Sequence, residues 1–288
     1  MSITLAHNNY GKSGIRLVKV ARQPDRHDLK QLTVGIQFEG DFESCYVYGD
    51  NTRILPTDTM KNTVYALAKL YEIEQIEEFA RHLAEHFLTG NDQISKVRID
   101  IAEDLWARIP HGGKLHGTAF MPAGLEQRTA AVTATRDTMT IEAGIDHLVL
   151  LKTAGSGFEN YIHDPFTTLA ETAERILATA VKVSWTYKDN DIPFGAYWNG
   201  VREALLQTFV EHDSKSVQHT LYAMANAALE RYEDITEISV SMPNKHCLLV
   251  DLSRFGLENN NEVFMPVDEP YGLIEARVKR EEQKSAAQ

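Results

Sequence analysis

Leu55-Pro56-Thr57-Asp58-Thr59-Met60-Lys61-Asn62-Thr63 places a Thr-Asp pair immediately before an amphipathic run. Met60, Val64, Leu67 and Ala68 recur at i, i+4, i+7 and i+8, one face of a helix. Pro56 cannot sit in a helix interior, so the helix begins near Thr57 or Asp58 and runs to about Leu70. The simplest role for the pair is an N-cap, because both side chains can satisfy orphan backbone N–H groups. The alternative is that a hydroxyl and a carboxylate are presented for chemistry at a positive helix end.

Outward from this stretch the chain alternates strands and helices. Residues 15–48 are rich in Val, Ile, Phe and Tyr, broken at Pro24-Asp25 and Gly40-Asp41, and read as a long antiparallel hairpin. A second helix is expected from Ile73 to Leu88, burying Ile76, Phe79, Ala80, Leu83 and Phe87. Val97, Ile99 and Ile101 share one side of a strand. His111-Gly112-Gly113 turns it back into a partner over 116–134. Further on, Met139, Ile141 and Ala143 alternate, continuing through Leu148–Leu151. Thr168 to Glu171 fits a capping box, predicting a helix with Leu169, Ala173, Ile176 and Leu177 inward. A strand follows over 181–187, then two helices within 195–232 parted near Asp213-Ser214. Ile238, Val240 and Met242 form another strand, with Leu248–Leu252 expected to pair back. The two halves, 1–136 and 137–288, share this plan and suggest an α+β duplication.

The 288 residues suffice for a large core, and 43% apolar with 24% charged residues describe a soluble globular chain. A net charge of -12, from 29 basic and 41 acidic residues, disfavours nonspecific nucleic-acid binding. It does not attract anions from afar either, so an anion site must be made by particular Arg or Lys residues. Cys45 and Cys247 are the only cysteines, which fits a reducing compartment better than a disulfide framework. No apolar run approaches a membrane span, and the N-terminus lacks a signal-peptide core.

Two familiar patterns carry little. His82-Leu-Ala-Glu85-His86 matches a short zinc-peptidase motif, but it lies off the apolar stripe and has no evident third ligand. Gly155-Ser156-Gly157 lacks the third glycine and the setting of a dinucleotide loop. From helix preferences alone, Arg175 is a cation on the polar flank, near the C-terminus, of the helix expected from Thr168. Gln218 is a polar first-turn residue, and Phe158 is core. Asn244 and His246, two apart in an extended segment, face the same way after a bend at Pro243.

The ordered set of short motifs says more than any one of them. Tyr10-Gly11-Lys12 and Ile15–Val20 precede the Thr57-Asp58 stretch, and Lys152–Phe158 and Asp164–Leu169 follow it. Then come Ser184–Tyr187, Ser216-Val217-Gln218, Met242–His246, Asn261–Phe264 and Pro270–Ile274. In this order, from Tyr10 to about Arg280, the chain resembles the urate oxidase (uricase) family.

The resemblance implies the tunnelling fold: two tandem units of antiparallel sheet plus helices per subunit, with subunits closing their sheets into a barrel around a tunnel. It implies oxidation of urate by dioxygen and water without metal or cofactor, in a homotetramer. Lys12, Thr57 and His246 match the catalytic proton relay; Thr57, Asp58, Phe158, Arg175, Val217, Gln218 and Asn244 match the substrate-binding set. In the family the active sites form between subunits, Lys12 and Thr57 coming from the neighbour. A planar guanidinium at Arg175 would grip a purine anion through two parallel hydrogen bonds. Gln218 and the Val217 N–H would take the other edge, Phe158 would stack, and Asn244 would hold dioxygen or water.

A zinc cyclohydrolase of the same fold would need a ligand set that Cys45 and Cys247 do not offer. An inactive homologue is at odds with intact Lys12, Thr57, His246 and Arg175. The C-terminal Lys-Ser-Ala-Ala-Gln is not a peroxisomal address, so a bacterial, cytoplasmic relative is expected, with no membrane partner. Departures from the commoner pattern are Cys247, Asn160 in place of a frequent glycine, and the looser segment His116–Phe120.

Overall fold

The computed structural model describes residues 2–281, so the C-terminal Lys-Ser-Ala-Ala-Gln lies outside the described residues. The chain forms two compact units: Met1–Gly144 with Thr186–Gly195, and Ile145–Trp185 with Ala196–Gln288. Each is built of antiparallel strands and helices, as the periodicity predicts.

In the first unit, β1 (Tyr10–Arg22) and β2 (His27–Gly40) form the expected hairpin. It ends earlier than the sequence suggests, because Glu43–Tyr48 is a short helix, α1. Phe42 turns fully into the core, and the chain then winds until Gly49 closes it at φ 70°. Helix α2 (Thr57–Leu70) buries Met60, Val64, Leu67 and Ala68. Helix α3 (Ile76–Gly90) starts three residues later than Ile73, since Gln75 is still extended. The strands β3 (Ile94–His111) and β4 (Lys114–Ala134) complete the row β1-β2-β3-β4, which β5 (Met139–Lys152) extends. Gly112 and Gly113, both at positive φ, make the tight β3–β4 turn that L side chains resist. Leu32, Val34, Ile36 and Phe38 join Val97, Ile99, Ile101 and Val132 in one buried face. Helix α2 packs on β1, and α3 packs on β3 and β4.

The second unit contains the rest of β5, most of β6 (Leu177–Tyr187), most of α4 (Phe194–Glu211) and all of α5 (Val217–Arg231). Strands β7 (Ile235–Ser241), β8 (Asn244–Leu249), β9 (Phe264–Gly272) and β10 (Glu275–Lys279) follow. Here two expectations are corrected. Leu248 and Leu249 do not return onto β7: its neighbours are β6 and β10, while β8 pairs with β6 and β9. The Met242 amide donates to Ile274 O at 2.8 Å and Pro243 has no N–H, so the chain leaves the β7 line and a new strand begins at Asn244.

Nor is there a helix from Thr168. Residues 167–171 are irregular, and Leu169 is 60% exposed. The backbone there bonds to another segment: Phe158 and Thr172 exchange N–H···O bonds of 2.7 and 3.1 Å, and Arg175 N donates to Ser156 O at 2.7 Å. Glu171, the expected capping carboxylate, accepts instead from Asn160 N at 3.1 Å. Non-local bonds have overridden a local helix signal.

Within the first unit, Glu77 on α3 is completely buried and accepts from Arg128 on β4 at 2.7 Å. Arg128 also donates to Gln75 Oε1 at 2.8 Å. Burial pushes the Glu77 carboxyl up, Arg128 pulls it partly back, and Glu103 adds a smaller push. Breaking such a pair leaves an uncompensated buried charge. Arg128→Met is therefore expected to lower unfolding free energy by about 3–5 kcal/mol at neutral pH in denaturant titrations. A carboxyl whose folded pKa lies above its unfolded value stabilises at low pH and loses that contribution as pH rises through the folded value. Without Arg128 the Glu77 value rises further, so the deficit of the variant should shrink as pH falls toward about 5.

Candidate active site

In the second unit three backbone segments are laced together. Gly157 N donates to Ser214 O at 2.8 Å, and Ser214 N to Gly155 O at 2.9 Å. The Phe158–Thr172 and Arg175–Ser156 bonds join the third segment to the same strip. A Cβ at Gly157 would stand 2.9 Å from Ala173 O, so this close approach requires glycine. Ser156 and Ser214 are buried in the lacing, and Thr220 Oγ1 donates to Ser214 Oγ at 2.7 Å.

This lacing brings four of the expected residues together. Val217 and Gln218 open α5, capped by Ser216, whose Oγ accepts from His219 N at 3.1 Å. Their own amides belong to the open first turn, where N–H groups point out of the helix. Arg175, half-buried, leads into β6 from an extended segment rather than lying on a helix flank. Its guanidinium carbon lies 5.3 Å from the centroid of the Phe158 ring. Burial pulls its pKa below the ordinary arginine value. Its Nε is buried without a hydrogen-bond partner, and no carboxylate among the described residues offsets its burial. A cation removed from water costs free energy unless something anionic compensates it.

Phe158 is half-buried rather than core. Tyr161 stacks on it, centroids 4.7 Å apart and planes within 14°. Asn160 at φ 60° makes the turn that brings these rings face to face, a conformation asparagine tolerates better than most residues. Tyr161 was not singled out from sequence; an aromatic three residues after Phe158 across a turn-forming Asn was the available signal. On β8, Asn244 and His246 lie opposite Gly272 and Val267, and the ladder shifts register between them, so the regular alternation expected from their spacing is interrupted there.

The first unit holds the other expected residues. Thr57 and Asp58 are the first two residues of α2, after Pro56 at the N-cap, and neither side chain makes a capping bond. The simple capping role is thereby replaced by presentation of both groups at the helix end. Asp58 accepts from Lys61 and from Asn62 (2.9 Å). Lys61, then Asn62, with a smaller contribution from Lys12, hold its carboxyl below the usual range. Lys12 lies on β1 opposite Ile36, just before a bulge at Ser13-Gly14. The Tyr10 hydroxyl bonds both backbone groups of Leu55, ahead of Thr57.

The decoy histidines have other partners: His82 stacks on Tyr71 at 4.3 Å and His86 lies edge-on to Phe87. Among the described residues, no group of three or more His, Cys, Asp or Glu side chains is placed to hold a metal ion.

A family model described as Uricase matches residues 8–133 and 141–275. A uricase from Arthrobacter globiformis is 43% identical over 279 residues, 97% of this chain and 91% of that protein. One from Oryctolagus cuniculus is 38% identical over 291 residues, 96% and 95% of the two chains. The crystal structure of the Arthrobacter globiformis uricase aligns with a TM-score of 0.93 at 42% identity, covering 100% of this chain and 98% of that one. The α+β architecture is thus the tunnelling fold, and the chain belongs to the uricase family.

Proposed function

We propose that this protein is a urate oxidase, converting urate, dioxygen and water to 5-hydroxyisourate and hydrogen peroxide. Urate gives up two electrons and dioxygen takes them with two protons as peroxide; water then adds to the oxidised purine. The observation that carries this reading is Arg175: a half-buried guanidinium with no carboxylate beside it, next to an aromatic face and an open helix turn. That combination suits a flat anion.

In this reading Arg175 binds one edge of the purine anion, and the Val217 N–H and the Gln218 amide bind the other. Phe158 stacks on its face, and Asn244 holds dioxygen or water above it. The purine anion is itself electron-rich, so the chemistry proceeds without metal or cofactor. The protein supplies position, charge compensation and proton transfer. Lys12, Thr57 and His246 form the relay. The Thr57 hydroxyl both donates and accepts, which suits a middle link, and His246 suits an outer one. Thr57 and Asp58 complete the substrate contacts. Lys12 and Thr57 come from a neighbouring subunit of a homotetramer whose sheets close into a barrel. Residues 1–136 and 137–288 are tandem copies of one plan, supported by the shared order of strands, helices and strands.

Loss of urate ultraviolet absorbance, matched by oxygen uptake, tests the activity directly. Arg175→Ala is expected to weaken binding of the unreactive analogue 8-azaxanthine at least tenfold, since a charge-assisted hydrogen bond contributes about 1.5–3 kcal/mol. Unchanged analogue binding in titration calorimetry, with the fold intact, moves the substrate site elsewhere. Lys12→Met and Thr57→Ala should each lower kcat about 100-fold or more. Their double variant should be scarcely slower, as for residues acting as a unit. Multiplicative losses in oxygen uptake at saturating urate mean that the two work independently. Sedimentation should find activity in the tetramer; a fully active monomer removes the shared site.

A further inference from the structure

Tyr10 precedes Lys12 by two residues on β1, so the two side chains leave the same face of the strand. The pairing is regular across them, Tyr10 opposite Phe38 and Lys12 opposite Ile36, and the bulge begins only beyond Lys12. The Tyr10 ring is fixed edge-on against Phe42 at 4.8 Å and Phe38 at 5.8 Å. Its hydroxyl accepts from Leu55 N at 3.0 Å and donates to Leu55 O at 3.2 Å. One side chain thus takes both polar groups of one backbone residue in a different segment. Burial raises the phenol pKa, with the Leu55 bond acting the other way, so the hydroxyl keeps the proton it donates.

Only Pro56 separates Leu55 from Thr57, and its ring holds φ at -56°. Pro56 O also accepts from Met60 N at 3.2 Å, an opening bond of α2. A shift of Leu55 therefore passes through a stiff link to the first residue of the helix. Other ties in this loop lie earlier: Ile54 N to Asn51 O at 3.0 Å, and Gln93 Nε2 to Arg53 O at 3.0 Å. Among the described residues, no side chain other than Tyr10 bonds to Leu55.

We propose that the Tyr10 hydroxyl is a positioning group for the proton relay. From the strand that carries Lys12, it sets where the Thr57 hydroxyl stands relative to the lysine amine. Tyr10 acts through Thr57 rather than on urate. The proposal rests on the reading of Lys12 and Thr57 as relay members.

The test uses the full-length enzyme and four variants: Tyr10→Phe, Thr57→Ala, the double variant of these two, and Lys12→Met. Tyr10→Phe keeps the ring and its packing and deletes only the hydroxyl. Its kcat at saturating urate is expected to fall about 10- to 100-fold, the scale for a misplaced reacting group. Its Kd for 8-azaxanthine should change less than its kcat, because Arg175, Phe158 and Gln218 are untouched and only the Thr57 contact shifts. The double variant should be no slower than Thr57→Ala alone, since the hydroxyl that Tyr10 positions is already absent. A merely structural role predicts instead a multiplicative further loss, or a loss of analogue binding as large as the loss of kcat; either overturns the proposal. Wild-type kcat in Tyr10→Phe, with Lys12→Met and Thr57→Ala both slow, overturns it while leaving the relay standing. Wild-type turnover in Lys12→Met and Thr57→Ala removes the relay, and the role of Tyr10 with it.

Discussion

A guanidinium drawn partly out of water without a counter-charge is the constraint around which the second unit is arranged. Arg175 cannot be placed cheaply, so its position must be over-determined by its surroundings. The bonds from Arg175 N to Ser156 O, from Gly157 N to Ser214 O, and between Phe158 and Thr172 do this with backbone alone. Backbone pairing fixes the main chain while leaving the side chains out of the lacing. Ser214 then ties the same strip to the start of α5 through Thr220, so the cation, the aromatic face and the open helix turn move as one piece.

The first unit shows the opposite use of the same side chain. Arg128 is more deeply buried than Arg175, but it faces the fully buried Glu77 and is spent on joining helix to sheet. Identical chemistry yields a structural clamp in one case and a cation without a carboxylate in the other. The difference is whether a carboxylate stands within reach. Sequence alone does not separate them, because both arginines lie in stretches of ordinary polarity.

The strands and helices were legible where apolar spacing was regular. Helix α2, the buried face of α3, the β3–β4 hairpin and the parting of α4 from α5 all follow from periodicity and turn residues. What was not legible depended on partners distant in sequence. The Thr168–Glu171 capping signal is sound locally, but Thr172 and Arg175 found backbone partners at 156–158. Leu248 was assigned to the wrong neighbour because alternation gives a strand its faces and says nothing about which strand lies beside it. The site was legible in part. The extended reading of Asn244 and His246 put them on one strand, and Pro56 located the start of α2. The grouping of Phe158, Arg175 and Gln218 came through family resemblance, since no short-range pattern connects positions so far apart.

Asn160 shows how one backbone angle restricts the variation open to a loop. Its left-handed conformation holds Tyr161 against Phe158. Position 160 is exposed, where substitution is ordinarily free, yet its tolerated alphabet is short. Glycine, asparagine, aspartate and histidine enter that region at modest cost, whereas a β-branched residue does not. An exposed position is thereby placed under a constraint usually met in a core, one set by chirality rather than by packing. Among relatives that keep the paired rings, sequence drift here should remain confined to those few residues while its exposed neighbour Glu159 varies freely.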